Sequence, residues 1–410
     1  MVRRPEWHVL TLATLALTAF GIVMVYSATS ASAAIGGANP MSYLERQGTY
    51  AVLGLALMLV ASRFDYRRLR ALAPAFVLAA LGGCTAVLVL AHPVNGARRW
   101  IGFGPASFQP SELAKLALAV WVAAYLAKRE APHNLRELWR PIGVLVGLFA
   151  LLILLEPDLG TTIAIVVMVG AVLLVAGSPV GTLAGALSIA AVIGVAAVWV
   201  EPYRRARVFS FLNPWHDAQG AGFQMVQAQI GLGSGGIFGD GLGQGVQKIH
   251  YLPEAHTDMI FAVIGEELGL LGVTAVIAAY AAFAYTGLRI ALACKDPFGK
   301  RLAAGLVALV SGQAVINLAA VLGLAPLTGI PLPFISYGGS SLVVALLAVG
   351  ILLNIAGKHG AEARVAVSDR GRGDGRSRGA VARGSGGARE ARRARDVRRV
   401  ARSNRSAARS

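Results

Sequence analysis

Four titratable side chains, Glu254, His256, Asp258 and Glu266, crowd residues 251–267, at the start of an apolar run long enough to cross a membrane. An unpaired charge at mid-bilayer costs about 2.5 to 3.5 kcal/mol or more, so carboxylates gathered at such a boundary point to chemistry at the membrane face. Two readings of Asp258 stand: a general base, or the cap and dipole partner of the helix that follows. His256 could tune Asp258 or cap the turn. Glu266 and Glu267 stand 8 and 9 positions beyond Asp258, which at about 100° per residue is roughly 80° and 180° around a helix. They do not both share its face, and at least one is expected to serve another helix.

A second group is cationic. Arg98 and Arg99 precede Trp100 in Asn-Gly-Ala-Arg-Arg-Trp-Ile-Gly (95–102), and Arg204, Arg205 and Arg207 cluster in Pro-Tyr-Arg-Arg-Ala-Arg-Val (202–208), with Lys248 further along the same loop. A forked guanidinium suits a phosphate or pyrophosphate, a group carried at a membrane surface by phospholipids and polyprenyl-linked sugars. Snorkelling toward lipid headgroups is the plainer alternative. Glu112 and Lys115, three positions apart at the start of a helix, form either a structural ion pair or a substrate contact. Residues 329–341 combine two prolines, glycines and hydroxyls, including Ser336 and Ser340. They read either as a cavity wall for sugar hydroxyls or as a stiff re-entrant turn. Gly231, Gly233 and Gly236 match a nucleotide-binding glycine pattern by letter alone, without the strand and βαβ unit that the pattern requires.

The elements that must position these groups are membrane helices. Hydrophobic residues make up 56% of the 410 and charged residues 14%, about half the charged share of a soluble domain. Apolar runs at 8–27, 47–62, 71–91, 111–127, 141–156, 159–177, 180–200, 259–288, 302–327 and 342–357 predict ten transmembrane helices. The first follows Arg3 and Arg4 but lacks a clean cleavage site, and reads as a retained helix. The expected fold is an all-α polytopic integral membrane protein, with a large loop of about 201–257 between helices seven and eight. Four Lys or Arg lie in each of 63–70, 128–140 and 289–301, and sixteen lie beyond 357. That excess predicts both termini on the cytoplasmic side and the chemically rich loops outside.

Residues 1–360 read as the membrane domain and 361–410 as a basic tail that is too poor in apolar side chains to fold. The tail is either a solvated topogenic segment near anionic lipid or a partner-binding arm. It lacks aromatics for base stacking, which argues against nucleic acid. Cys84 and Cys294 lie far apart in the expected topology and suggest neither a disulfide nor a metal site.

These segments together resemble the SEDS family (shape, elongation, division and sporulation) of peptidoglycan glycosyltransferases. The likeness rests on 96–101 with 109–115, Glu-Pro-Asp-Leu-Gly-Thr (156–161), Asn-Pro-Trp (213–215) with Gly-Phe-Gln (222–224), Leu-Pro-Glu-Ala-His-Thr-Asp-Met-Ile-Phe-Ala-Val-Ile-Gly-Glu-Glu (252–267), and 326–341. Tyr-Leu-Pro-Glu-Ala-His-Thr-Asp is closer to the division branch, FtsW, than to the elongation branch, RodA. The resemblance implies that the chain polymerises lipid II, a disaccharide-pentapeptide on undecaprenyl pyrophosphate, at the outer face of the bacterial cytoplasmic membrane, at the division septum. It implies Asp258 as catalytic base. Arg99, Trp100, Glu112, Lys115, Arg205, Arg207, Lys248, His256, Ser336 and Ser340 become the expected substrate contacts, with Mg2+ or Mn2+ as an optional cation. The implied partners are a class B penicillin-binding protein, other divisome proteins and membrane lipids. A lipid II flippase would use the same arginines with an acid as ion relay, and a non-catalytic scaffold would use helix surfaces and the tail.

Overall fold

The computed structural model describes residues 5–35, 39, 41–91, 97–103, 106–249, 252 and 255–358. Eight helical segments among them are long and apolar enough to cross a membrane: Pro5–Ser30, Tyr66–Leu90, Leu135–Leu155, Leu159–Ala176, Val180–Val200, Ile260–Ala293, Pro297–Val321 and Gly339–Lys358. The other two expected runs are also helical. Met41–Arg63 carries Glu45, Arg46 and Gln47 near its start, and Pro110–Leu126 is 17 residues long, the lower limit for a span.

In chain order the helices are α1 (Pro5–Ile35), α2 (Met41–Arg63), α3 (Leu69–Leu90), α4 (Pro110–Leu126), α5 (Leu135–Leu138), α6 (Val144–Leu155), α7 (Leu159–Ala176), α8 (Val180–Val200), α9 (Pro202–Leu212), α10 (Phe223–Ser234), α11 (Ile260–Ala293), α12 (Pro297–Val321) and α13 (Gly339–Lys358). A π turn at Trp139–Gly143 joins α5 to α6 in one span. The core lies around α12 and α13, whose apolar windows are 67% and 78% buried, whereas none of the α8 window is buried. Leu, Val and Ala at helical spacing on α4, α7, α11, α12 and α13 fill that core, and the outer faces of α3 and α8 stay apolar and exposed, as lipid-facing helices require.

Local signals set several boundaries. Asp158 caps α7, accepting from Thr161 N at 2.9 Å, and Asp296 caps α12 through Gly299 N at 2.9 Å, with Pro297 at the first helical position. Five features correct the sequence expectation. The first helix runs on to Ile35, α11 to Ala293, and α12 starts earlier, at Pro297. The long loop holds two helices, α9 and α10. A short antiparallel hairpin, β1 (Ile101–Phe103) with β2 (Ala106–Phe108), stands before α4.

The break in α11 matters most for the site. Gly269 has φ 62° and ψ −159°, which interrupts the helix, and the loop after α10 docks into the gap. Asp240 N and Gly241 N donate to the carbonyls of Glu266 and Glu267, both at 3.0 Å, and Leu270 N donates to Gly236 O at 2.9 Å. The backbone groups freed by the break are thereby satisfied within the protein, as a membrane interior demands. A Cβ on Gly239 would stand 2.2 Å from Glu267 O, so only glycine fits that approach.

Candidate active site

Asp258 lies two residues before α11 and is 8% exposed. Thr257 Oγ1 donates to its Oδ1 at 3.2 Å, and its main-chain carbonyl accepts from Asn317 Nδ2 at 2.8 Å. Gly329, with φ +72°, marks where the site opens: a Cβ there would stand 3.5 Å from Arg207 Nη1 and 4.0 Å from Asp258 Oδ2. A guanidinium from α9 and a carboxylate from the loop just before α11 therefore approach one point. Arg207 is held there by a 3.2 Å bond from Nη1 to Leu327 O and by the Tyr203 ring, whose centroid lies 4.8 Å from its guanidinium carbon.

His256, two residues before Asp258 in the same loop, sits in a triangle of rings. Its imidazole meets Tyr43 edge-on at 5.0 Å and Tyr337 at 5.4 Å, and the two tyrosines meet at 5.3 Å. Tyr337 N donates to His256 O at 2.9 Å. Burial raises the Tyr337 phenol above its ordinary value, and Arg46, bonded to the phenol, opposes that rise. The triangle joins the start of α2, the Asp258 loop and the loop before α13.

A second layer surrounds the first. Arg99 donates from Nε to Glu156 O at 2.9 Å and from Nη2 to Pro157 O, pinning the segment before the hairpin to the α6–α7 turn. Burial pushes the Glu156 carboxyl up to about 8, Asp158 adds to the rise, and Arg99 opposes it. Ser340 Oγ accepts from Gln109 N at 3.0 Å and donates to Ser107 O at 3.2 Å, while Tyr50 Oη accepts from Ser107 N at 3.0 Å. Together they fasten the hairpin to α2 and α13. Trp100 is half-buried beside the hairpin, and Arg205 is half-buried on α9.

Four expected substrate contacts point into the protein instead. Lys115 bonds Glu112 at 2.8 Å, both enclosed. Lys248 bonds Glu267 Oε1 at 2.6 Å and Ser27 Oγ at 3.2 Å. Ser336, 3% exposed, accepts from Leu332 N at 2.8 Å. Glu266, which is not one of those expected contacts, also turns inward: it accepts from Val246 N at 2.7 Å and so anchors the docked loop. Tyr43, Arg46, Asn317 and Gly329 were not among the expected site residues. Tyr43 and Arg46 come from α2, Asn317 from α12 and Gly329 from the loop after it, and no spacing in the chain links these three places. Among the described residues no three His, Cys, Asp or Glu gather as a metal site. A divalent cation at Asp258 would draw its other ligands from water and substrate phosphate, as Mg2+ commonly does. Glu254 lies outside the described residues.

Residues 8–360 match the FtsW, RodA and SpoVE family, described as cell cycle proteins. The chain belongs to that family. This FtsW/RodA/SpoVE member is 43% identical over 354 residues to the Geobacter metallireducens protein named "Probable peptidoglycan glycosyltransferase FtsW", covering 85% of this chain and 93% of that one. It is 38% identical to stage V sporulation protein E of Bacillus subtilis, covering 84% and 95%. Its fold matches a chain from a peptidoglycan synthase complex, solved for its structural coordination of polymerization and crosslinking, with TM-score 0.71 and 32% identity over 85% of this chain and 97% of that chain. The rod shape determining protein RodA of Thermus thermophilus matches with TM-score 0.62 and 30% identity over 85% and 95%. The polytopic helical fold of this FtsW/RodA/SpoVE chain is thus that of solved relatives.

Proposed function

We propose that this protein is a peptidoglycan glycosyltransferase that polymerises lipid II at the outer face of the cytoplasmic membrane, with Asp258 as general base. The convergence of Asp258 and Arg207 on the open point at Gly329 carries the reading. Names of relatives at 43% identity support the activity.

In the reaction, Asp258 takes the proton from the 4-hydroxyl of the acceptor GlcNAc as that oxygen attacks C1 of the donor MurNAc. The new C1–O bond forms while the bond from C1 to the pyrophosphate oxygen breaks, inverting α to β. Undecaprenyl pyrophosphate departs with the electron pair. A pyrophosphate leaves without prior protonation, so one carboxylate suffices where glycosidases use two. Arg207 faces the charge that develops on the leaving group, where a preorganised donor is most effective. His256 and its tyrosines build the wall beside the base. With the expected topology, this end of the bundle faces outward, both termini are cytoplasmic, and the protein works at the septum. A class B penicillin-binding protein would be its partner, by analogy with the synthase complex of its structural relative.

The test is polymer formation from labelled lipid II by purified protein with its transpeptidase partner. Asp258→Asn keeps size and hydrogen bonding but loses the base, which is worth about 10² to 10⁴ in rate. The variant is expected to bind lipid II and make almost no glycan. Near-parental polymerisation would remove Asp258 as base. The broken helix at Gly269 and the buried Lys248–Glu267 pair are also features of transporters, so flipping is measured in parallel. Intact polymerisation with lost flipping would favour that reading.

A further inference from the structure

Asn317 lies in the last two turns of α12 and is 2% exposed. Its single amide nitrogen donates twice, to Asp258 O and to Ile330 O, each at 2.8 Å. Both neighbours are acceptors, so the nitrogen must face them. The flipped amide would set Oδ1 against two carbonyl oxygens. One side chain on a rigid, buried helix thus holds two loops at once: the one that ends in Asp258, and the one that carries Gly329 just before Ile330.

Those two loops define the site. Asp258 Oδ2 and Arg207 Nη1 both approach Gly329, and Arg207 is itself bonded to Leu327 of the second loop. The separation of carboxylate and guanidinium therefore depends on how the two loops are tied, and Asn317 is the tie between their backbones. We propose that Asn317 is a positioning residue for Asp258, setting the carboxylate against the Arg207 side of the site without touching substrate. The inference rests on the reading of Asp258 as the base. Displacing a catalytic group by about 1 Å loses on the order of 10² in rate, and one amide with two short bonds to main chain is a direct way to prevent it. The bond from Tyr337 N to His256 O at 2.9 Å secures the same loop independently, so loss of Asn317 loosens the loop rather than releasing it.

The test uses full-length protein with its transpeptidase partner and labelled lipid II. Asn317→Asp keeps the size and shape but turns oxygens toward both carbonyls, and Asn317→Ser removes the fork with a smaller side chain should the Asp variant not fold. For whichever variant remains monodisperse, kcat is expected to fall about 10²-fold while KM for lipid II changes by less than roughly threefold, the signature of an interaction used only in the transition state. A kcat within about twofold of the parent overturns the proposal. So does a KM that rises in step with the loss of kcat, because that marks a general structural role. Asp258→Asn is run alongside. A dead Asp258→Asn with normal Asn317 variants sinks the positioning role alone, whereas an active Asp258→Asn sinks the base and the positioning role together.

Discussion

Lys248 Nζ lies 2.6 Å from Glu267 Oε1, with both side chains almost wholly enclosed, and Ser27 of α1 donates to the same carboxylate at 2.7 Å. This triad sits beside the break in α11 and joins three separate parts of the chain: α1, the loop after α10, and α11. It is the charged counterpart of the backbone bonds that fill the break.

Removing one partner of a buried pair leaves an uncompensated charge, typically a loss of about 3 to 5 kcal/mol. Lys248→Met and Glu267→Gln are each expected to lower the thermal midpoint in detergent. The double variant should lose less than the sum of the two, because neither charge is then left alone. Additive losses would show that the pair is not coupled.

Arg207→Ala is expected to weaken lipid II binding, and Arg207→Lys to restore part of it, since a point charge does not reproduce the guanidinium fork or its stacking on Tyr203. Titration of labelled lipid II into the inactive Asp258→Asn protein isolates binding from turnover. Parental affinity in Arg207→Ala would return this arginine to a lipid-facing role.

Gly329→Ala adds a methyl at the point where Asp258 and Arg207 converge, and places it at φ +72°, a strain of about 1 to 2 kcal/mol. Gly177→Ala, at φ +100° with open space around it at the end of α7, carries similar strain away from the site. Polymerisation should fall sharply in the first and hold in the second. Equal loss in both would mean that strain, not occupancy, explains the effect.

Glu156 gives a pH signature. Its folded carboxyl titrates near 8 because of burial, against an ordinary value of 4.5, so the folded chain keeps a proton that the unfolded chain gives up. Its contribution to stability is complete below about pH 4.5 and is lost as pH rises toward 8. Glu156→Gln should therefore lower the midpoint less at about pH 8 than at about pH 5, or raise it there. A parent-to-variant difference independent of pH would contradict the assignment.

What the chain determines locally was legible. Runs of Leu, Val, Ile and Ala set the helices and their order, because in lipid each span must satisfy its own backbone. Asp158 and Asp296-Pro297 are start signals readable in three or four letters, and Asp296-Pro297 would have placed the start of α12 correctly. Asp258 stood out because a carboxylate at a membrane rim is expensive. The α9 and α10 helices were missed because each is short and mixes polar with apolar residues, which hides a helix inside a loop. The C-terminal segment 361–410 lies outside the described residues.

Tertiary structure decided which polar groups face the site. Lys248, Glu112 and Lys115 have the composition of ligands, yet packing turns them onto partners within the protein, since an enclosed charge is tolerated only when paired. Asn317 is 59 positions from Asp258, and Tyr43 lies in α2, far from both in the chain. No periodicity connects such residues. Asn317 reaches the Asp258 loop from α12, and Tyr43 reaches His256 and Tyr337 from α2; such contacts between distant residues exist only once packing of the bundle has brought them within reach.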